Sequence, residues 1–204
     1  IILYIITLIY SSIVERFRNY SSLIAVQGWL LLGIALLRLH TLDWMELSFI
    51  ITETLIFKAL IVPGILMRVI KKTGINRISS TGTSQFNSLM LSITALTISA
   101  ILTYYVADQT INMIFFGVAL YALLTGLILI VLRSRIFTHM VGFLVIENGV
   151  FLFSMAIGVE MPLLINAAIM LDILLSVLML GMFMTKVDKH IHTDDSDSLT
   201  HVKD

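Results

Sequence analysis

Residues 138–159, THMVGFLVIENGVFLFSMAIGV, are apolar enough to cross a bilayer as a helix, yet Glu147 lies near their centre. A second apolar stretch, residues 162–186, follows directly and carries Asp172 near mid-length. A hydrocarbon core of about 30 Å requires about 20 residues of helix. A charge at its centre costs roughly 3 kcal/mol or more. Two carboxylates in successive spans therefore indicate proton or cation handling; the alternative is that each only hydrogen-bonds to a neighbouring helix.

The composition defines the class of protein. Of 204 residues, 58% are hydrophobic and 13% are charged, and the mean hydropathy is +1.01. This leaves too little polar surface to cover a water-soluble globule. The sequence predicts an all-α, polytopic protein that contacts the lipid bilayer and binds no nucleic acid. It contains no cysteine, which excludes disulfides, clusters held by thiolates of this chain and cysteine nucleophiles.

Seven apolar stretches predict seven transmembrane helices in one domain over residues 1–187, followed by a flexible cytoplasmic tail at 188–204. The predicted spans are residues 1–14, 23–37, 47–69, 89–107, 111–132, 138–159 and 162–186. Gly142 and Gly149 share one face of the sixth span and would let a neighbouring helix approach closely.

The charges of the connections alternate along the chain. Basic residues follow spans one, three, five and seven: Arg16, Arg18, Arg68, Lys71, Lys72, Arg77, Arg133, Arg135, Lys186 and Lys189. The other connections hold Asp43, Glu46, Asp108 and Glu160, with Arg38 their only firm positive charge. By the positive-inside rule, we expect a multi-pass protein of the cell inner (cytoplasmic) membrane, with the N-terminus outside and the C-terminus in the cytoplasm.

An internal duplication is one hypothesis for this order of spans. It would relate a three-helix unit at residues 1–72 to a second unit at 111–187, joined by a linker and span four within 73–110. Overlaying residues 23–29 on 143–149 places Gln27 where Glu147 falls. Extending the overlay places Lys58 near Asp172, after a gap in the connecting turn. Alternatively, the match is chance, since any two leucine-rich spans align to some extent.

Four intramembrane charges are the candidate proton or ion pathway: Glu147, Asp172, Lys58 and Glu53. Lys58 and Glu53 lie about 140° apart around an α-helix, so each needs a partner on another helix. By depth, Asp172 or Glu53 are the nearest candidates to face Lys58. Glu53 lies close enough to the outer end of its span that snorkelling to water is an alternative.

Three further residues are candidates for proton entry or support. His139 begins span six on the cytoplasmic side, as an entry group or an ordinary surface histidine. Gln27 overlays Glu147, and Ser176 shares a helical face with Asp172. No catalytic, cofactor-binding or metal-ligand motif appears in the spans.

Two motifs resemble a known family. Residues 142–149, GFLVIENG, with Asp172 one helix later and residues 58–63, KALIVP, resemble the component E membrane subunit of hydrogenase-4 type complexes. That family shows Gly, an aromatic residue, three residues and then Glu-Asn-Gly, and a Lys with Pro five residues later. Residues 111–187 are similar, more distantly, to the three-span K subunit of complex I and the C subunit of multisubunit sodium/proton antiporters. The complex I subunit has its first intramembrane glutamate at the position of Leu144, and its second at that of Asp172.

The resemblance implies an accessory subunit, not an enzyme on its own, in the membrane arm of a group 4 nickel–iron hydrogenase-like complex. Its partners would be large antiporter-like membrane subunits, a membrane anchor subunit and peripheral hydrogenase-like subunits. Nickel–iron and iron–sulfur centres would belong to those partners, with no cofactor in this chain. Proton or sodium translocation coupled to the partners' redox reaction is the expected function. The alternatives are a multisubunit cation/proton antiporter without a redox arm, and a purely structural spacer.

Overall fold

The computed structural model describes residues 1–38, 52–73, 84–106, 111–133 and 136–157. Within these ranges the chain is helical and forms no strand, which confirms the all-α prediction. The predicted seventh span with Asp172 and Ser176, and the predicted tail, lie outside the described residues. The side chain of Glu53 also lies outside them, although its backbone is described.

Six α-helices and one π-helix make up the described chain. They are α1 (Ile2–Ile13), α2 (Phe17–Arg38), the π-helix (Thr52–Ile61), α3 (Val62–Thr73), α4 (Gln85–Val106), α5 (Met113–Leu132) and α6 (Ile136–Ile157). α1 ends where Val14 turns extended, and Asn112 caps α5 by accepting a hydrogen bond from the Phe115 amide at 3.2 Å.

Four of the described helices, α2, α4, α5 and α6, are long and apolar enough to cross a membrane. The chain is therefore a membrane protein. α1 is also apolar, but its 12 residues rise only about 18 Å, which is less than the roughly 30 Å of a hydrocarbon core.

The antiparallel pair α5 and α6 packs through glycine. A Cβ atom built on Gly126 would lie 2.6 Å from the Gly142 carbonyl oxygen, and one on Gly142 would lie 2.8 Å from the Gly126 oxygen. Gly149 meets α5 at Ala119 and Ala122. The glycine face predicted for span six is thus confirmed as the surface on which a neighbouring helix packs.

Several helix ends lie together at one end of the described bundle. They are the α1–α2 junction, the ends of α3 and α5, and the starts of α4 and α6. Arg133 donates from Nη2 to the Ser12 carbonyl at 3.1 Å, and the Phe17 and Phe137 rings lie 4.5 Å apart between centroids. Five basic residues described by the structure lie towards this end: Arg16, Arg18, Arg68, Lys71 and Arg133.

α4 lies at the edge of the described bundle. Its inward stripe consists of small and hydroxyl-bearing residues: Ser88, Ser92, Ala95, Ser99 and Thr103. Ser92 and the Tyr121 hydroxyl of α5 share a 2.6 Å hydrogen bond, and the Thr103 side chain meets Gly117. The large apolar side chains of α4 point outward, and Tyr104 and Tyr105 are exposed at the end remote from the basic residues, where aromatic belts occur.

We expect Gly142→Ala to lower the free energy of unfolding by about 1–3 kcal/mol, because its methyl group collides with backbone across the α5–α6 contact. Gly33→Ala is the matched control, since nothing lies within 4 Å of its added Cβ atom. Alanine favours a helix over glycine, so the control should be neutral or slightly stabilising. Equilibrium unfolding of both variants in detergent micelles measures the difference, and equal stability would contradict this packing.

Candidate ion-pathway site

Lys58 lies in the 10-residue π-helix, where sequence analysis predicted an ordinary transmembrane helix over residues 47–69. π-helices are rare and occur frequently at functional sites. Pro63 follows in α3 and has no backbone N–H to donate, so the helical hydrogen-bond pattern must change near it. This local constraint accounts for a departure from regular α-helix beside Lys58.

α2 fixes the backbone beneath Lys58 at two points. A Cβ atom on Gly28 would lie 2.9 Å from backbone atoms of Lys58 and Ala59, so glycine permits the observed approach. About two turns nearer the start of α2, the buried Ser21 hydroxyl donates to the Pro63 carbonyl at 2.8 Å. The π-helix is therefore held against α2 over the segment that carries the lysine.

The ammonium of Lys58 forms an ion pair with Glu147 of α6, with 2.8 Å between Nζ and Oε1. The two side chains are only 7% and 12% exposed. Phe151 lies one turn beyond Glu147, and Lys58 Nζ lies 4.5 Å from the centroid of its ring, within range of a cation–π interaction. One face of α6 thus supplies both a carboxylate and an aromatic ring to the same ammonium.

By depth along the spans, Asp172 and Glu53 were predicted as the nearest partners of Lys58. The structure pairs Lys58 with Glu147, and the prediction for Asp172 and Glu53 stays a prediction. The side chains of Asp172 and Glu53 lie outside the described residues. Depth along a span was the criterion for that ranking. It does not specify which helices are neighbours, and here α2 packs against both the π-helix and α6.

A chain of hydrogen bonds runs from α6 through α2 to α1. Asn148 Nδ2 donates to Gln27 Oε1 at 3.3 Å, and Gln27 Nε2 donates to Thr7 Oγ1 at 3.2 Å. The Thr7 hydroxyl donates to the Tyr4 carbonyl at 2.7 Å. Side-chain amides and hydroxyls of this kind donate and accept without changing charge. The chain therefore positions the turn of α6 that carries Glu147 rather than relaying protons.

Tyr4 of α1 is fully buried, and its hydroxyl has no hydrogen-bond partner among the described residues. A buried donor without a partner costs about 1–3 kcal/mol, so such a group calls for an explanation.

Gln27, Lys58 and Glu147 were predicted from the sequence as site residues. No role was predicted for Tyr4, Thr7 and Asn148. Asn148 was identifiable, because it follows Glu147 directly in a polar pair within an apolar span. Tyr4 and Thr7 gave no such signal, since tyrosine and threonine are ordinary in apolar helices. Their three-residue spacing, which places both on one face of α1, is the only local cue.

His139 lies apart from the ion pair. It begins α6 at the basic end, where Nε2 forms a hydrogen bond with the Arg133 carbonyl. Eight residues of helix separate it from Glu147, or about 12 Å of rise. No cluster of three or more possible metal ligands occurs among the residues that the structure describes.

No family model, curated protein or solved structure matches this chain. A protonated lysine in contact with a carboxylate can transfer one proton to it. The N–H bond of Lys58 breaks, an O–H bond of Glu147 forms, and two charges become two neutral groups within a low-dielectric interior.

We expect Lys58→Met and Glu147→Gln each to lower the free energy of unfolding by about 3–5 kcal/mol, because each removes one charge of the buried ion pair. The neutral-pair variant, Lys58→Met with Glu147→Gln, should lose less than the sum of the two single changes. Lys71→Met, at an exposed lysine of α3, is the control and should change stability by no more than about 0.5 kcal/mol. Strictly additive losses in this cycle would show that the two charges are not coupled.

Proposed function

We propose that this chain is an accessory membrane-arm subunit of an energy-converting, nickel–iron hydrogenase-like respiratory complex. Its intramembrane charges would contribute to proton or sodium translocation coupled to a redox reaction in partner subunits. The ion pair of Lys58 and Glu147 is the observation that carries this proposal. Well-packed apolar residues often stabilise a protein as well as a buried ion pair does, so stability alone is a weak reason to keep one. Ionisable groups inside a membrane typically mark ion pathways.

The geometry supports a simple transfer mechanism. A proton that reaches Glu147 neutralises the carboxylate and removes its attraction for the Lys58 ammonium. Lys58 can then release its own proton to the next group. The pair re-forms when the proton on Glu147 passes to the neutral amine of Lys58, so one proton enters and one leaves in each cycle. The buried amides of Gln27 and Asn148 hold the surrounding helices in place during this exchange.

The sequence resemblance gains support from where its two motifs meet. Residues 142–149 contribute Glu147 and residues 58–63 contribute Lys58, so both motifs contact each other at the ion pair. In this proposal, antiporter-like subunits, a membrane anchor and peripheral hydrogenase-like subunits surround the chain. Nickel–iron and iron–sulfur centres belong to those partners, in keeping with the lack of cysteine here.

We also propose seven spans in the inner membrane, with the N-terminus outside and the C-terminus in the cytoplasm. Four spans correspond to helices long enough to cross a membrane. The other three would be α1, the consecutive π-helix and α3, and residues 162–186. The basic end of the bundle would face the cytoplasm.

One observation favours the spacer alternative. The charges of Lys58 and Glu147 compensate each other within the chain, and the Asn148–Gln27–Thr7 chain ties three helices together. Such contacts are also what a purely structural subunit needs. An antiporter subunit without a redox arm would share every feature of the site, so co-purifying subunits distinguish it from the hydrogenase-like complex.

Orientation is tested with reporters. We expect a reporter fused after Asp204 to score cytoplasmic and one inserted at Asp108 to score external, because the basic connections alternate along the chain. Alkaline phosphatase and green fluorescent protein fusions at both sites provide the measurement. The reverse result at either site would contradict the proposed topology.

Translocation is tested with the neutral-pair variant and with Asp172→Asn, which keep the approximate size of the side chains but remove titratable protons. We expect both complexes to assemble while the ratio of protons to electrons in sealed vesicles falls sharply. The exposed-site variant Lys71→Met should keep the full ratio. An unchanged ratio in a variant that combines Lys58→Met, Glu147→Gln and Asp172→Asn would support the spacer function instead.

A further inference from the structure

We propose that Tyr4 is a second hydrogen-bonding partner of Glu147, whose hydroxyl donates to the Glu147 carboxyl group when Lys58 moves away. Glu147 would then exchange between an ammonium from the π-helix and a phenol from α1. The contribution of this exchange to translocation rests on the function proposed above, whereas the hydrogen bond itself does not.

The geometry points to Tyr4 from two sides. Its hydroxyl is fully buried and lacks a hydrogen-bond partner among the described residues. Its backbone carbonyl accepts from Thr7, which Gln27 links to Asn148, the neighbour of Glu147. The face of α1 that carries Tyr4 is thus tied to the turn of α6 that carries the carboxylate.

The hydroxyl has a physical role only if the carboxyl group changes partner. With Lys58 in place, Glu147 is already compensated, and the Tyr4 donor stays unused. When Lys58 withdraws, a hydrogen bond from an uncharged donor stabilises the carboxyl group without fixing its charge. A tyrosine suits this role because it donates without carrying a competing positive charge.

Infrared spectroscopy of the full chain in lipid vesicles tests the hydrogen bond directly. In Lys58→Met, Glu147 should bind a proton, since an unpaired buried charge is costly. The neutral-pair variant identifies its carbonyl band by removing it. We expect Tyr4→Phe in the Lys58→Met chain to move this band to higher frequency, because the carbonyl loses a donor. An unmoved band would overturn the proposal.

Thermal unfolding provides a second measurement. We expect Tyr4→Phe to raise the melting temperature by about 2–4 °C in the unmodified chain, because it removes a buried donor without a partner. In Lys58→Met, where the donor is used, it should lower the melting temperature by about 4 °C. Equal effects in both backgrounds would contradict the exchange. Tyr121→Phe is the control for the infrared measurement, because the hydroxyl of this buried tyrosine bonds to Ser92. This change should leave the Glu147 band unmoved in the Lys58→Met chain.

The outcomes separate this inference from the proposed function. If Lys58→Met does not insert, acid titration of the unmodified and Tyr4→Phe chains gives the same comparison, and an equal carbonyl frequency refutes the hydrogen bond. A shifted band together with full translocation in the neutral-pair variant would retain the hydrogen bond and reject the ion-pathway function. An unmoved band together with lost translocation would reject the hydrogen bond and retain the ion-pathway function.

Discussion

The close approach of α2 to the π-helix is the constraint on which the site depends. Because Gly28 has no side chain, the backbone of Lys58 and Ala59 packs directly on α2. The Ser21 hydroxyl fixes the same segment at the Pro63 carbonyl. With its backbone held at these two points, Lys58 reaches α6, which also packs on α2, and meets Glu147 there. A backbone contact between two helices thus determines a charge contact with a third.

Local features of this site were predictable from the sequence, whereas contacts between distant residues were not. Composition predicts helices in a membrane, and the spacing of Gly142 and Gly149 predicts a close helix contact, because both signals lie within one segment. The partner of Lys58 depends on which helices are neighbours, and depth along a span does not specify that. The π-helix was not predicted, because the composition of a span gives no signal that separates a π-helix from an α-helix. The contribution of α1 stayed hidden because tyrosine and threonine are ordinary residues in apolar helices.

The contacts between α2 and α6 bear on the hypothesis of an internal duplication. These helices run parallel, with Phe17 against Phe137 at one end and Gln27 against Asn148 further along. The second contact joins residues 121 apart, one position from the overlay of Gln27 on Glu147. Equivalent helices that pack in parallel are expected for repeats related by an axis along the membrane normal. The duplication stays a prediction, since the third helix of its second unit lies outside the described residues.

The site combines a framework of hydrogen bonds between uncharged side chains with two groups that can exchange a proton. Each donor along the chain from Asn148 to Gln27 and Thr7 has a defined acceptor, and the chain ends on the Tyr4 carbonyl. None of these groups changes charge, so the framework can hold α1, α2 and α6 in the same place throughout a cycle. Lys58 and Glu147 can both change charge, and their separation is set by helices that the framework fixes. Such division suits stepwise ion movement, because the helices that carry the exchanging side chains stay in place while those side chains change charge and partner.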